Sequence, residues 1–420
     1  MGSDALAITR GVYEKLASVS PVSPPRLRAW DGSTYGPVDA PATLVLNHPG
    51  SLRAMLVPPS DLTAGEAYIF DDIDIEGDVF SLLRWGESLQ ALRGKRLTAA
   101  WVARQLKKLP TDFRRNAAAR PTFRGRLHSL GRDRETVSYH YDTGNEFYEL
   151  FLGETMAYSA AYFLDPAESL DAAQRRKLDV VCRKLELSTG MRLLDIGCGW
   201  GSLVVHAAAN YGVEATGVTV SGEQAEYTRR RAKELGVEDR VQVIEADYRE
   251  VNYQFDAISS IGMFEHVGRN KLPEYFTQVR KLMAPGGQFL NHGIVTRNRH
   301  QGRRRRPTFV STYVFPDGEL EPVDVVIGEA EGGGFETRDV EALRMSYMLT
   351  LHRWVANLEA NDEVAVGAAS ERAYRIWRIY MAGSAVAFES GGIGVYQMLL
   401  SDPDRPWRHG RSRLLARDDR

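Results

Sequence analysis

Leu193-Leu-Asp-Ile-Gly-Cys-Gly-Trp-Gly201 is an apolar run that ends in an acid and is followed by three glycines at alternate positions. Leu193, Leu194 and Ile196 read as a buried strand. Gly197, Gly199 and Gly201 let the backbone pass close to a ligand, and Ser202-Leu-Val-Val-His-Ala-Ala-Ala209 opens a helix behind them. Strand, glycine loop and helix in this order suit either a sulfonium cofactor or a dinucleotide. A dinucleotide site would carry its third glycine at position 202 and end the next strand in a ribose-binding acid. Those places hold Ser202 and Thr219. The loop, with Asp195 and its three glycines as cofactor residues, therefore points to methyl transfer ahead of nicotinamide or flavin binding.

From about residue 175 the pattern alternates helix and strand, as a parallel sheet demands. Residues 174–187 read as a helix with Leu178, Val181, Cys182 and Leu185 on one face. Residues 215–220, 241–244 and 255–260 read as the second, third and fourth strands, and 287–290, after a Pro285-Gly286-Gly287 turn, as the fifth. The expected fold class is α/β, a Rossmann-like core whose parallel sheet has a reversed edge strand, with a helical lid and a small N-terminal α+β domain. A ligand in such a fold lies beyond the carboxyl ends of the strands, where Gly197, Thr219, Asp247, Glu265 and His292 fall.

Residues 1–100 carry short strand-like runs at 43–46, 67–70 and 73–75, with His48 reading as a structural histidine in the turn Asn47-His-Pro-Gly50. Residues 101–134 follow as a basic linker with Arg104, Lys107, Lys108, Arg114, Arg115, Arg120, Arg124, Arg126, Arg132 and Arg134, either a solvated helical face or a contact for an anionic surface. The remaining domain, 135–420, is interrupted at about 296–390 by an arginine-rich loop and by helices bearing Tyr347, Trp354, Tyr374, Trp377, Tyr380 and Phe388. Singly these aromatics read as core; together they suit a lid over a long apolar substrate. The arginines at 303–306, with Arg297 and Arg299, either meet lipid phosphates or form a solvated loop.

A chain of 420 residues accommodates two domains, and its net charge of −2 supplies no global field for nucleic acid. Cys182 and Cys198 cannot build a disulfide framework and suit a reducing cytosol. No zinc spacing, signal peptide or membrane-spanning apolar run is spelled out. The expectation is a metal-free cytoplasmic protein whose lipid contact is peripheral, at the inner face of the membrane.

Three further segments narrow the reading. Tyr139-His-Tyr-Asp-Thr-Gly-Asn-Glu-Phe-Tyr148 with Met156-Ala-Tyr-Ser-Ala-Ala-Tyr-Phe163, then Gly262-Met-Phe-Glu-His-Val-Gly268 and Asn291-His-Gly-Ile294 join Gly217-Val-Thr-Val-Ser-Gly-Glu-Gln224. Over about residues 130–400 this set resembles the cyclopropane-fatty-acyl-phospholipid synthases and mycolic acid methyltransferases. The N-terminal module is similar to that of the long, phospholipid-acting members. Phe315-Pro-Asp-Gly-Glu-Leu and Trp354-Val-Ala-Asn-Leu-Glu look most like the branch that makes tuberculostearic acid.

The resemblance implies S-adenosylmethionine as methyl donor, contacted by Tyr158 and Ser159, with the 197–201 loop around its methionine part, Thr219, Val220 and Gln224 on the ribose side, and Asp247 and Tyr248 flanking the adenine. It implies a bicarbonate ion as base against Glu265, His292, the Ile294 backbone and Tyr347. At one point the chain departs from the family: Ala160 stands where the motif carries a cysteine. The implied substrate is an unsaturated phospholipid acyl chain, with oleoyl favoured, and the implied product a methylene branch that a partner reductase saturates. Cyclopropane closure is the alternative, a non-catalytic lipid-binding protein a remote one, and a homodimer is left open.

Overall fold

In the computed structural model, residues 2–89, 96–111, 120–125, 128–141, 143–297 and 307–406 are described. The chain divides into two units, one of Met1–Thr122, Arg304–Pro316 and Leu358–Val386, the other of Phe123–Arg303, Asp317–Asn357 and Ala387–Arg420.

The first unit holds a sheet of order β2-β1-β3-β4, formed by β1 (Arg26–Arg28), β2 (Thr34–Tyr35), β3 (Ala42–Leu46) and β4 (Ile73–Gly77). Alternation decides its inner face: Ala42, Leu44 and Leu46 are buried and the residues between them are not. The run 67–70, expected as a strand, is instead the end of the helix Asp61–Ile69. Ser60 caps that helix by accepting the Thr63 amide at 3.0 Å, and a short apolar run buried on all sides carries no period that separates strand from helix. Gly65 in this helix makes room for the Phe309 ring, which a Cβ would meet at 2.2 Å. His48 is structural: Nε2 lies 2.9 Å from Asp72 Oδ1 and Nδ1 accepts the Gly50 amide.

The basic stretch from 101 enters the helix Arg96–Leu106 and, later, the helix Leu130–Tyr141. Arg120 is paired with Glu66 and Arg132 with Asp317. Arg114, Arg115, Arg126, Arg299 and residues 303–306 lie outside the described residues.

The second unit is built on seven strands: β5 (Arg192–Ile196), β6 (Glu214–Thr219), β7 (Val241–Glu245), β8 (Phe255–Ile261), β9 (Met283–Thr296), β10 (Glu336–Ala342) and β11 (Ile393–Ser401). Their order is β10-β11-β9-β8-β5-β6-β7. The five strands from β9 to β7 are parallel, and the one reversed strand, β11, sits one place in from the edge. Chain order reverses between β5 and β8, which makes the carboxyl ends of these two strands the switch point.

The expected turn at Pro285-Gly286-Gly287 lies within β9. Ladder partners jump from Phe255–Met283 to Ala257–Gln288, so the extra residues bulge out of a continuous strand, with Gly286 at φ 72°. β10 is a polar strand held by Lys184, 2% exposed, whose Nζ lies 2.6 Å from Glu341 and 3.3 Å from Asp339. The Tyr162 hydroxyl donates to the same Glu341 at 2.6 Å. Both carboxylates are partly solvated, so Lys184→Met is expected to cost about 2 kcal/mol, lowering the thermal midpoint by roughly 4–8 °C. A midpoint within about 1 °C of wild type would show that β10 does not depend on this lysine.

Tyr347, Trp354 and Phe388 belong to the second unit, whereas Tyr374, Trp377 and Tyr380 belong to the first.

Candidate active site

The glycine loop follows β5 directly. Gly197, Gly199 and Gly201 all have positive φ, 75°, 54° and 78°. The amides of Gly197 and Cys198 both donate to Val218 O, folding the loop over β6. A Cβ on Gly201 would strike Thr228 at 2.3 Å, whereas one on Gly199 would meet nothing within 4 Å. Gly199 is thus the open side of the loop, where a ligand can approach the backbone. Trp200, fully buried, donates Nε1 to Asn145 Oδ1 at 2.7 Å, tying the loop to the helix Asn145–Leu152.

Beneath the loop, Asp195 is buried and accepts from Ser259 Oγ at 2.7 Å. Burial pushes its carboxyl up to about 6, against the lowering effect of Ser259 and of the Lys177 charge. Lys177 is buried on the helix Leu170–Lys184; desolvation brings its ammonium down to about 8. It donates to Ser159 Oγ at 3.2 Å, and Gln174, one turn earlier, donates to the carbonyls of Ala157 and Ser159. This helix therefore anchors the backbone that presents Tyr158, Ser159 and Ala160. The Tyr158 ring packs edge-on against Tyr148 at 5.9 Å and tilted against Trp354 at 5.4 Å.

At the end of β6, Thr219 donates to Gln224 Oε1 at 2.8 Å. That bond orients the amide so that Gln224 Nε2 is buried with no partner among the described residues, a donor left for a ligand. Val220 follows at the rim, half-buried. Asp247, expected beside an adenine, is also the partner of an arginine. Both its oxygens accept from Arg249, which also reaches Asp133 at 3.0 Å. Tyr248 packs edge-on against Tyr275 at 5.7 Å.

The titratable pair sits where β8 and β9 meet. Glu265, in the 3-10 turn Phe264–His266, accepts the Ile294 amide on Oε1 at 2.7 Å, while its Oε2 is buried without a partner among the described residues. Burial raises this carboxyl to about 7, with the Ile294 amide pulling the other way. His292 stands opposite Ile261 in the β8–β9 ladder, level with the carboxyl end of β8. Its Nδ1 lies 3.2 Å from Gln397 Nε2 and its Nε2 has no partner among the described residues. Burial, reinforced by the Lys177 and Lys184 charges, lowers this imidazole to about 3, so it is neutral at physiological pH. Tyr347 packs on Phe388 at 4.8 Å and Trp354 at 6.0 Å. Ala160 is fully buried, and the next amide donates to Thr350 Oγ1.

The structure thus brings Glu265, His292 and Ile294 together on one strand junction, and Tyr158 and Tyr347 onto one ring, Trp354. Sequence reasoning missed Lys177, Gln174, Ser259, Gln397 and Gly293. A lysine on the apolar face that carries Ala173 and Val181 was the available signal for the first of these.

The family model described as mycolic acid cyclopropane synthetase matches residues 128–398. A probable fatty acid methyltransferase of Pseudomonas putida is 38% identical over 395 residues, 91% of this chain and 95% of its own length. The tuberculostearic acid methyltransferase UfaA1 of Mycobacterium tuberculosis is 36% identical over 292 residues, 67% of this chain and 68% of its own. The crystal structure of mycolic acid cyclopropane synthase CmaA1 complexed with SAH and CTAB superposes with a TM-score of 0.60 at 32% identity, covering 64% of this chain and 98% of that one. The chain belongs to the mycolic acid cyclopropane synthetase family and is an S-adenosylmethionine-dependent methyltransferase.

Proposed function

We propose that this enzyme methylates the cis double bond of an unsaturated phospholipid acyl chain, oleoyl by preference, through a carbocation, and that the product is a methylene branch. The observation that carries the reading is the junction of β8 and β9, where Glu265 Oε2 and His292 Nε2 are both buried and have no partner among the described residues.

The residues present fit S-adenosylmethionine: Gly199 leaves the loop backbone open and Gln224 Nε2 is a spare donor on the ribose side. When bound, it supplies an electrophilic methyl on a sulfonium. The chain's own groups must hold the alkene in line with that methyl and exclude water, since an isolated alkene is a poor nucleophile. The faces of Tyr158 and Tyr347 can stabilise the cation left on the chain without bonding to it. A carboxyl near neutrality, at the same strand junction as a neutral imidazole, can then take up the proton the cation loses. The same two groups suit a bicarbonate ion, which would be held by His292 Nε2 and a protonated Glu265, the Ile294 amide fixing Glu265 through Oε1, and which would supply basicity there.

Direct loss of a proton from the new methyl closes a cyclopropane; a hydride shift followed by the same loss gives the methylene branch, which a reductase partner would saturate. Incubating the protein with methyl-labelled S-adenosylmethionine and dioleoyl phospholipid vesicles and examining the released fatty acids by proton NMR tests the reading. Vinylidene protons are expected. High-field ring protons would move the enzyme to cyclopropane synthesis, and unlabelled lipid would overturn the substrate.

A further inference from the structure

Within the first unit, the helix Arg96–Leu106 turns Val102 and Leu106 inward, and Leu109 is buried just beyond its end. Arg53 donates to the carbonyls of Lys107 and Leu109, fixing the carboxyl end of that helix. Its other face is open among the described residues, apart from the edge of the Trp101 ring, which a Cβ on Gly11 would meet at 3.9 Å. Leu97 is 90% exposed and Trp101, one turn on, 39% exposed. Ala100, Arg104, Lys107 and Lys108 are also exposed, continuing the stripe at three- and four-residue spacing. Among the described residues Arg96, Arg104, Lys107 and Lys108 meet no carboxylate. From Glu87 to Asp112 the sequence has no acid between the two, while it carries Arg93, Lys95, Arg96, Arg104, Lys107 and Lys108. A chain of net charge −2 thus carries, on this helix and just beyond it, Arg96, Arg104, Lys107 and Lys108 with the most exposed leucine among the described residues and a tryptophan. A protein partner of mixed charge would leave these cations uncompensated. Anionic headgroups answer them, and the acyl boundary below answers Leu97 and the amphipathic indole.

We propose that the outer face of the helix Arg96–Leu106, with Lys107 and Lys108, docks the protein on an anionic lipid surface, with Leu97 and Trp101 inserted and the cations on the phosphates. The proposal deepens the reading of a bilayer-borne substrate and rests on it for its purpose, but its test is separate. The full chain is sedimented with vesicles of phosphatidylcholine alone and of equimolar phosphatidylcholine and phosphatidylglycerol, at low and high salt. It is compared with Leu97→Ser/Trp101→Ser and with Arg104→Gln/Lys107→Gln/Lys108→Gln. A cation near an anionic surface is worth about fivefold in partitioning, so the triple variant is expected to bind mixed vesicles on the order of a hundredfold more weakly. The double variant is expected to lose roughly tenfold; the triple variant is expected to keep the wild-type thermal midpoint, its side chains being exposed, and the double variant to stay folded with a midpoint a few degrees lower, because Trp101 is 39% exposed.

Wild-type binding indifferent to phosphatidylglycerol and to salt would overturn the proposal, as would variants that bind like wild type. A double variant that only changes the oligomeric state, with vesicle binding intact, would assign the face to a second copy and overturn it too. Lost vesicle binding in both variants of a protein that methylates no lipid would uphold the surface while removing the substrate reading. Full methylation of detergent-dispersed lipid by variants that no longer bind vesicles would uphold both.

Discussion

Glu265→Gln is expected to lower turnover on lipid by about two to three orders of magnitude while leaving S-adenosylmethionine affinity within roughly twofold. The substitution keeps the shape of the side chain and an oxygen to accept the Ile294 amide. It removes only the capacity of the unpartnered Oε2 to take up or release a proton. The groups proposed to hold the cofactor, the 197–201 loop after β5 and Gln224 in the helix after β6, belong to other elements, so an effect on turnover without one on binding separates a proton-handling role from a structural one. Stability adds an independent readout. Burial raises the folded carboxyl from 4.5 to about 7, so the folded state binds more protons than the unfolded state between these values. The stability contributed is fully present below about pH 4.5 and is lost as pH rises through 7. At about 1.4 kcal/mol for each pH unit, the wild type carries a cost of roughly 3 kcal/mol at pH 8 that glutamine does not. The variant is expected to be the more stable protein at pH 8 and to converge with wild type near pH 4. Taking the difference between the two proteins cancels the opposing contribution of His292, whose lowered value makes stability fall as pH drops below 6.5. Turnover within threefold of wild type, or a pH-independent stability difference, would remove Glu265 from proton transfer.

Much of this site was legible because its signals are local. β5, the glycine loop and the helix Ser202–Tyr211 lie within one stretch of sequence, and β6, β7 and β8 announce themselves by short apolar runs between helices of clear period. What was not legible depends on partners far along the chain. The run 67–70 became helix because of a cap seven residues upstream, and Pro285-Gly286-Gly287 stayed in β9 because β8 and β11 hold that strand on either side. β10, Glu336–Ala342, has the composition of a loop and becomes a strand through Lys184 and pairing with β11. Asp195 could be placed on the cofactor loop from sequence, but not above a buried lysine 18 residues earlier, because no motif encodes which helix covers a strand.

Gly293→Ala is the sharpest case of such a hidden constraint, and its expected effect is a loss of activity out of proportion to one methyl group. Gly293 lies between His292 and Ile294 in β9, where its own conformation asks for no glycine. A Cβ there would come within 2.1 Å of Phe264 Cε1, 2.7 Å of Phe264 Cδ1 and 2.8 Å of Glu265 Oε2. Phe264 is fully buried and packed in the main core of the second unit, so it cannot swing aside as a surface chain would. Either β9 moves away from the turn Phe264–His266 or the turn moves away from β9, and both stretch the bond from the Ile294 amide to Glu265. Overpacking of this kind costs about 1–3 kcal/mol. A displacement of an ångström at a positioned catalytic group costs about a hundredfold in rate. The variant is expected to fold with a thermal midpoint several degrees lower, to bind S-adenosylmethionine nearly as wild type does, and to turn over lipid about a hundredfold more slowly. Gly328→Ala is the matched control, because Gly328 is exposed in the helix Val323–Gly332 and a Cβ there meets nothing within 4 Å. It is expected to leave turnover unchanged and to stabilise the helix by about 0.5–1 kcal/mol. Wild-type turnover in Gly293→Ala would mean that the contact among Phe264, Glu265 and β9 does not position the reacting groups, and the junction of β8 and β9 would lose its claim to be the catalytic centre.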